Sequence, residues 1–147
     1  KPKPINAHWH HVLYLNKLKD TNFIKDLNGK ISADLTAGNM NIMNEIKYVD
    51  YLFISDEDVD DFSSLVDATK GWVILHHPTG STFSNGDHEY FWKLPEDKIL
   101  DNVNVLGAGD IFASCFLYKL LQGGQDINQF IEFAHLKTSE IIQHYSK

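Results

Sequence analysis

Asn104-Val105-Leu106-Gly107-Ala108-Gly109-Asp110, followed by Ile111-Phe112-Ala113-Ser114, is the stretch on which the reading of this chain turns. Two glycines just ahead of a helical pattern let the backbone approach a ligand closely. The N–H groups of the first helical turn, at the positive end of the helix dipole, would then face an anion. Asp110 falls in that same turn, where a carboxylate could take the proton of a hydroxyl attacking a phosphoryl group. The same residues also read as a tight turn with Asp110 complementing the dipole, because short glycine motifs arise often by chance. A dinucleotide fingerprint fits badly, since the third glycine is absent and no strand with an acidic end follows.

The composition agrees with an anion site built from backbone. The chain has 147 residues, 13 Lys plus Arg against 20 Asp plus Glu, and a net charge of −7. Every basic residue is a lysine. Without the planar guanidinium fork, phosphate must rest on backbone N–H groups, lysine or a metal. An acidic chain of this kind is not expected to bind nucleic acid. No run reaches the ~18 apolar residues that span a membrane. The single cysteine, Cys115, excludes an intrachain disulfide and makes a reducing compartment, the cytoplasm, the expectation. The chain does not open with Met and Lys1-Pro2-Lys3-Pro4 precedes no apolar run. No signal peptide is expected, and the chain reads as processed or as a piece of something longer.

Outward from the glycines, strand and helix patterns alternate. Buried-strand patterns fall at 10–15, 30–35, 51–54 and 72–75. Helical patterns fall at Asp20–Leu27 and Met40–Val49. A further helix carries Val59, Phe62, Leu65 and Val66 on one face, capped by Ser55 or Asp56. Asn85-Gly86 between Ser81–Ser84 and His88–Trp92 is a strong hairpin signal. A helix from Gly107 to about Leu121 ends at Gly123-Gly124, and Asp126 caps a last one through Tyr145. The expected fold is one α/β domain over 1–147, a mostly parallel sheet flanked by helices with a late β-hairpin. Ligands of such sheets bind at the carboxyl ends of the strands.

Val103–Leu121 resembles the C-terminal signature of the ribokinase or PfkB-type carbohydrate kinases, approximately D-T-x-G-A-G-D-x-F-x-x-x-F-L. Gly107, Ala108, Gly109, Asp110, Phe112, Phe116 and Leu117 keep its spacing. Ile31-Ser32-Ala33-Asp34 resembles the family's strand ending in Asp. Val49–Asp58 resembles its v-D-x-l-x-x-N-x-x-E segment, and Trp72–Gly80 its v-v-T-x-G-x-x-G strand and turn. The resemblance implies a ribokinase-like fold and transfer of the γ-phosphoryl group of ATP to a sugar-like hydroxyl. It implies Asp110 as catalytic base, the backbone of Gly107, Ala108 and Gly109 as anion hole, and Mg2+ bridging the phosphates. It further implies nucleotide contacts from Asn104, His77, Gly80 and His135, with Glu57 and Asp58 in the water shell of the Mg2+. The partner expected is a small-molecule sugar or nucleoside-like substrate, and a homodimer is the candidate assembly.

The chain departs from the pattern at several places. Asn104 stands where the family has Asp, Ser55 and Asp58 replace its Asn and Glu, and His77 replaces a glycine. Family chains are about twice as long, and their N-terminal half, with the sugar-binding residues and lid, has no match here. The chain is therefore expected to be an incomplete fold equivalent to the C-terminal half. The alternative is a degenerate, non-catalytic nucleotide- or sugar-binding module. Among the remaining features, the histidine groups His8/His10/His11 and His76/His77 lack the spacing a zinc site demands. The tryptophans and Cys115 read as packing groups.

Overall fold

The computed structural model describes residues 5–55, 61–99 and 107–145. Six strands form one sheet in the order β1-β2-β3-β4-β5-β6: Trp9–Val12, Lys30–Asp34, Tyr51–Ser55, Trp72–His77, Gly80–Ser84 and Glu89–Lys93. β1 pairs with β2, and β2 with β3, in parallel, with Trp9 opposite Lys30 and Ser32 opposite Tyr51. Among the described residues three α-helices accompany them: α1 (Phe62–Ala68), α2 (Ala108–Leu121) and α3 (Ile127–Tyr145). The expected α/β sheet flanked by helices is what the chain forms.

The chain divides into two compact units. One holds residues 1–75 and 83–90, the other 76–82 and 91–147. In the first, Leu52, Phe53 and Ile54 of β3 are all fully buried. A strand whose successive side chains are all buried is covered on both faces, which is why these parallel strands read as continuous apolar runs. Leu52 and Ile54 share one core with Val12, Leu15, Ile31, Ala33, Leu65 and Val73.

Two helical expectations fail in this unit. Met40–Val49 is not an α-helix but a run of turns closing in a 3-10 turn at Ile46–Tyr48. Its apolar periodicity is real, since Ile42, Ile46 and Val49 are buried, but the side chains plug the core from turns. Asn39 starts that path by accepting the Asn41 N–H on Oδ1 at 2.9 Å, a local bond that competes with helix formation. Asp20–Leu27 likewise tightens only to a 3-10 segment, Asn22–Asp26. Helix α1 is capped not by Ser55, which ends β3, but by Asp61, whose carboxylate accepts the Ser64 N–H at 3.1 Å. Residues 56–60 lie outside the described residues, Asp56 among them.

The Asn85-Gly86 hairpin forms as its sequence predicts. Asn85 Oδ1 accepts the N–H groups of Asp87 and His88, at 3.0 and 2.8 Å, and Gly86 takes a positive φ of 92°.

In the second unit α2 and α3 pack together, Phe116 meeting Phe130 edge to face at 5.7 Å. Phe112, Ala113, Phe116, Ile131 and Ala134 are buried. Helix α2 stops where Gly123 and Gly124 turn to φ 100° and 117°. Asp126 then opens α3 by accepting the Asn128 N–H at 3.0 Å. Among the described residues no helix is long and apolar enough to cross a membrane.

Candidate functional site

The second unit brings two backbone segments of the sequence reading into one neighbourhood: the start of α2 and the turn between β4 and β5. Gly107 caps α2 in the left-handed conformation, φ 82° and ψ 0°, and among the described residues no atom beyond its chain neighbours lies within 4 Å of where its Cβ would be. The first intrahelical bond runs from the Ile111 N–H to the Gly107 carbonyl at 3.0 Å. The N–H groups ahead of it have no partner within the helix, as at every helix start. Asp110 occupies this first turn and is exposed. An open backbone turn with a carboxylate beside it can hold an anion and accept a proton.

Gly109 meets His76 at the end of β4. A Cβ on Gly109 would lie 3.3 Å from Cε1 of the imidazole. His76 also lies against Phe112, with ring centroids 5.1 Å apart. The next residue, His77, turns its Nδ1 to the Thr79 hydroxyl at 3.0 Å and stacks on Phe91 at 5.8 Å. The turn closes at Gly80, where a Cβ would collide with the Trp92 carbonyl oxygen at 2.1 Å. Glycine there is a steric requirement, set by the neighbouring strand.

His135 on α3 is buried, 7% exposed. Its Nε2 is 2.5 Å from the Ser81 hydroxyl, its ring stacks on Trp92 at 5.1 Å, and Phe112 meets it at 4.7 Å. Burial above all, and then the nearby His76 and His77, push its pKa down to about 3, opposed by a hydrogen bond that the ring donates to the Gly80 backbone. The ring is neutral at physiological pH.

Of the residues singled out in the sequence, Gly107, Ala108, Gly109 and Asp110 form one helix start, and His77 and Gly80 lie on one turn. His135 is enclosed by its Ser81, Trp92 and Phe112 partners. Asn104, Glu57 and Asp58 lie outside the described residues. Sequence reasoning missed Ser81, Trp92 and Phe112 as partners of these groups. No local pattern flags them, because the Ser81–His135 bond joins positions 54 residues apart.

The first unit holds a separate polar cluster at the ends of β1 and β2. His11 places Nδ1 2.7 Å from Ser32 Oγ and Nε2 3.3 Å from Asp34 Oδ2. Ser32 is fully buried and also accepts the Trp9 indole N–H at 2.9 Å. Its hydroxyl is a structural acceptor, with no access for a substrate. Asp34 accepts the N–H of Tyr14, which is held at φ 49°. Among the described residues no three His, Cys, Asp or Glu side chains converge in a way that could hold a metal ion.

No protein-family model matches the chain, and no curated protein sequence does. Solved structures do. A pyrophosphate-dependent kinase in the ribokinase family, complexed with a pyrophosphate analog and myo-inositol, matches at 17% identity and a TM-score of 0.70, over 95% of this chain and 59% of that one. Adenosine kinase of Trypanosoma brucei brucei matches at 18% identity and a TM-score of 0.72, over 93% and 52%. A microbiome-derived acarbose kinase matches at 20% identity and a TM-score of 0.73, over 92% and 49%. A further match, at 13% identity and a TM-score of 0.71, is a candidate Ribokinase II from E. coli in complex with ATP and Mg2+. The chain thus spans about half to three-fifths of the length of these structures, and over that span it has the ribokinase-like α/β fold.

Proposed function

We propose that this chain is the phosphate-binding portion of a small-molecule kinase, transferring a terminal phosphoryl group to a hydroxyl of a sugar, cyclitol or nucleoside. The observation that carries the reading is the start of α2. Gly107 takes a left-handed φ with no described residue packed where its Cβ would be, and an exposed carboxylate, Asp110, stands in the same turn. The solved structures of this fold include an adenosine kinase, an acarbose kinase, a pyrophosphate-dependent kinase complexed with myo-inositol, and a candidate Ribokinase II in complex with ATP and Mg2+. With no arginine in the chain, the N–H groups of Gly107, Ala108 and Gly109 are the natural anion hole, with the helix dipole behind them.

In the proposed reaction the acceptor oxygen bonds to the terminal phosphorus of the donor. The bond from that phosphorus to its bridging oxygen breaks, and the shortened donor leaves with the electron pair. The hydroxyl proton passes to Asp110. Mg2+ would ride on the donor phosphates and neutralise their charge, which asks for only one or two carboxylates of the protein. Glu57 and Asp58 are proposed as its outer partners, Asn104, His77, Gly80 and His135 as the nucleotide side of the site, and a homodimer in the cytoplasm as its setting. Asp110→Asn in the full-length protein tests the assignment: acceptor-dependent donor turnover should fall at least about a hundredfold, on the scale typical of a lost general base. Unchanged turnover would remove Asp110 from the role.

His77 favours a second reading, a non-catalytic nucleotide- or sugar-binding module. Its side chain bonds to the Thr79 hydroxyl and stacks on Phe91 at a position where the resemblance to the kinases implies glycine. Calorimetry with Mg-ATP and with pyrophosphate distinguishes the two, since binding without turnover on any polyol supports the second.

A further inference from the structure

A single imidazole ties together the strands and the helix on which the proposed phosphate site depends. His135 reaches β5 through its Nε2 and the Ser81 hydroxyl, 2.5 Å apart. It reaches β6 by stacking on Trp92, the ring planes 16° from parallel. It reaches α2 through Phe112, with centroids 4.7 Å apart. Ser81 is the residue after Gly80, and Phe112 is two residues past Asp110. Phe112 also touches the ring of His76, itself pressed against Gly109. The start of α2, proposed to hold phosphate, and the β4–β5 turn, proposed for the nucleotide side, are thus each one or two residues from a group that His135 holds.

A phenylalanine or leucine could fill this enclosed space without the desolvation penalty of an imidazole. What the imidazole adds is direction. Ser81 is fully buried, and a buried hydrogen bond is satisfied in only one arrangement of its partners. Burial holds the ring neutral, with a pKa of about 3, so the bond persists across the physiological range.

The geometry points to His135 as a positioning residue: its bond to Ser81 and its contact with Phe112 hold the β4–β5 turn and the first turn of α2 in the single register that a bound phosphoryl donor requires. This rests on the phosphate reading of α2, and the experiment below separates the two. Ser81→Ala, His135→Phe and the double variant, made in the full chain, are titrated calorimetrically with inorganic pyrophosphate and with Mg-ATP well below their melting temperatures. Each single variant should weaken binding about five- to tenfold, the scale of one lost hydrogen bond. The double variant should be no weaker than the worse single, because both remove the same bond. His135→Gln, which keeps a hydrogen-bonding group, should recover affinity relative to His135→Phe. Pyrophosphate should also shift the ring nitrogen resonances of His135 in the native chain, which a purely structural residue has no reason to show. Native binding that survives undiminished in a folded Ser81→Ala variant overturns the inference and leaves the phosphate reading standing. Absence of binding by the native chain overturns both.

Discussion

Gly109 runs so close to His76 that a Cβ on it would sit 3.3 Å from Cε1 of the imidazole, whereas two residues earlier a Cβ on Gly107 would meet nothing within 4 Å among the described residues. The two glycines of the motif therefore do different things. Gly107 is needed for its left-handed φ of 82°, and Gly109 for the space beside its neighbour. Gly107→Ala should destabilise the chain by ~1–2 kcal/mol, the strain of a left-handed alanine. Gly109→Ala gains up to ~1 kcal/mol of helix propensity, offset by the shift that His76 must make. Its stability should stay near native while its pyrophosphate affinity falls. Urea midpoints paired with calorimetry separate the outcomes, and a Gly107→Ala midpoint equal to native would contradict the conformational argument.

Gly80 is the harder steric case. A Cβ there would lie 2.1 Å from the Trp92 carbonyl oxygen and 3.1 Å from its carbon, and strand backbone cannot step aside as a side-chain tip can. Gly80→Ala should cost about 3 kcal/mol, the upper end for overpacking, and should appear as a fall in melting temperature. A melting temperature within a degree or two of native would mean that β6 moves more freely than its hydrogen bond from Leu94 N to Thr79 O implies.

Asp50 does comparable work in the first unit. Its Oδ2 accepts the Ile31 N–H at 2.9 Å, and Oδ1 faces Lys70 at 3.4 Å and Lys30 at 3.7 Å. The carboxylate is buried and both lysines are largely exposed. Removing the acceptor strands the N–H of a parallel strand, whereas removing one exposed ammonium loses a screened pair. Asp50→Ala should cost ~1–3 kcal/mol, and Lys70→Ala less than ~1 kcal/mol. Chemical denaturation of both variants checks the ordering, and equal losses would show that the ion pair, not the backbone bond, is what matters.

Much of this architecture was legible from local chemistry. The Asn85-Gly86 turn, the Gly123-Gly124 stop and the Asp126 cap each work through atoms within a few residues, so their sequence signals survive folding. Gly107 belongs with them, since its role is a backbone angle. The Met40–Val49 stretch misled because 3.6-residue spacing records which side chains are buried, and Ile42, Ile46 and Val49 are buried from turns. His135 shows the other limit. Its position on an apolar helix face was readable, but Ser81, Trp92 and Phe112 come to it only through tertiary packing. The resemblance to the kinases implies a nucleotide contact from His135, and the three partners that enclose its ring came only with the fold.

The enclosure of His135 gives stability a pH dependence of known sign. An imidazole in the unfolded chain takes up a proton near pH 6.5, and in the fold only near 3. Between those values the unfolded chain holds a proton that the native chain refuses. The native state is therefore favoured fully above 6.5 and progressively less as pH falls toward 3, by up to about tenfold in the folding equilibrium per pH unit. Every other ionisable group of the chain is present in a His135→Phe variant as well, so the difference between the two curves isolates the imidazole. Stability from urea titrations at about pH 7.5, 6 and 5 should accordingly fall more steeply for the native chain than for His135→Phe. The variant starts lower, through the lost Ser81 bond, and the two curves should converge on acidification. Parallel curves would show that the imidazole admits its proton at an ordinary pH, and that the shell of Ser81, Trp92 and Phe112 opens without unfolding.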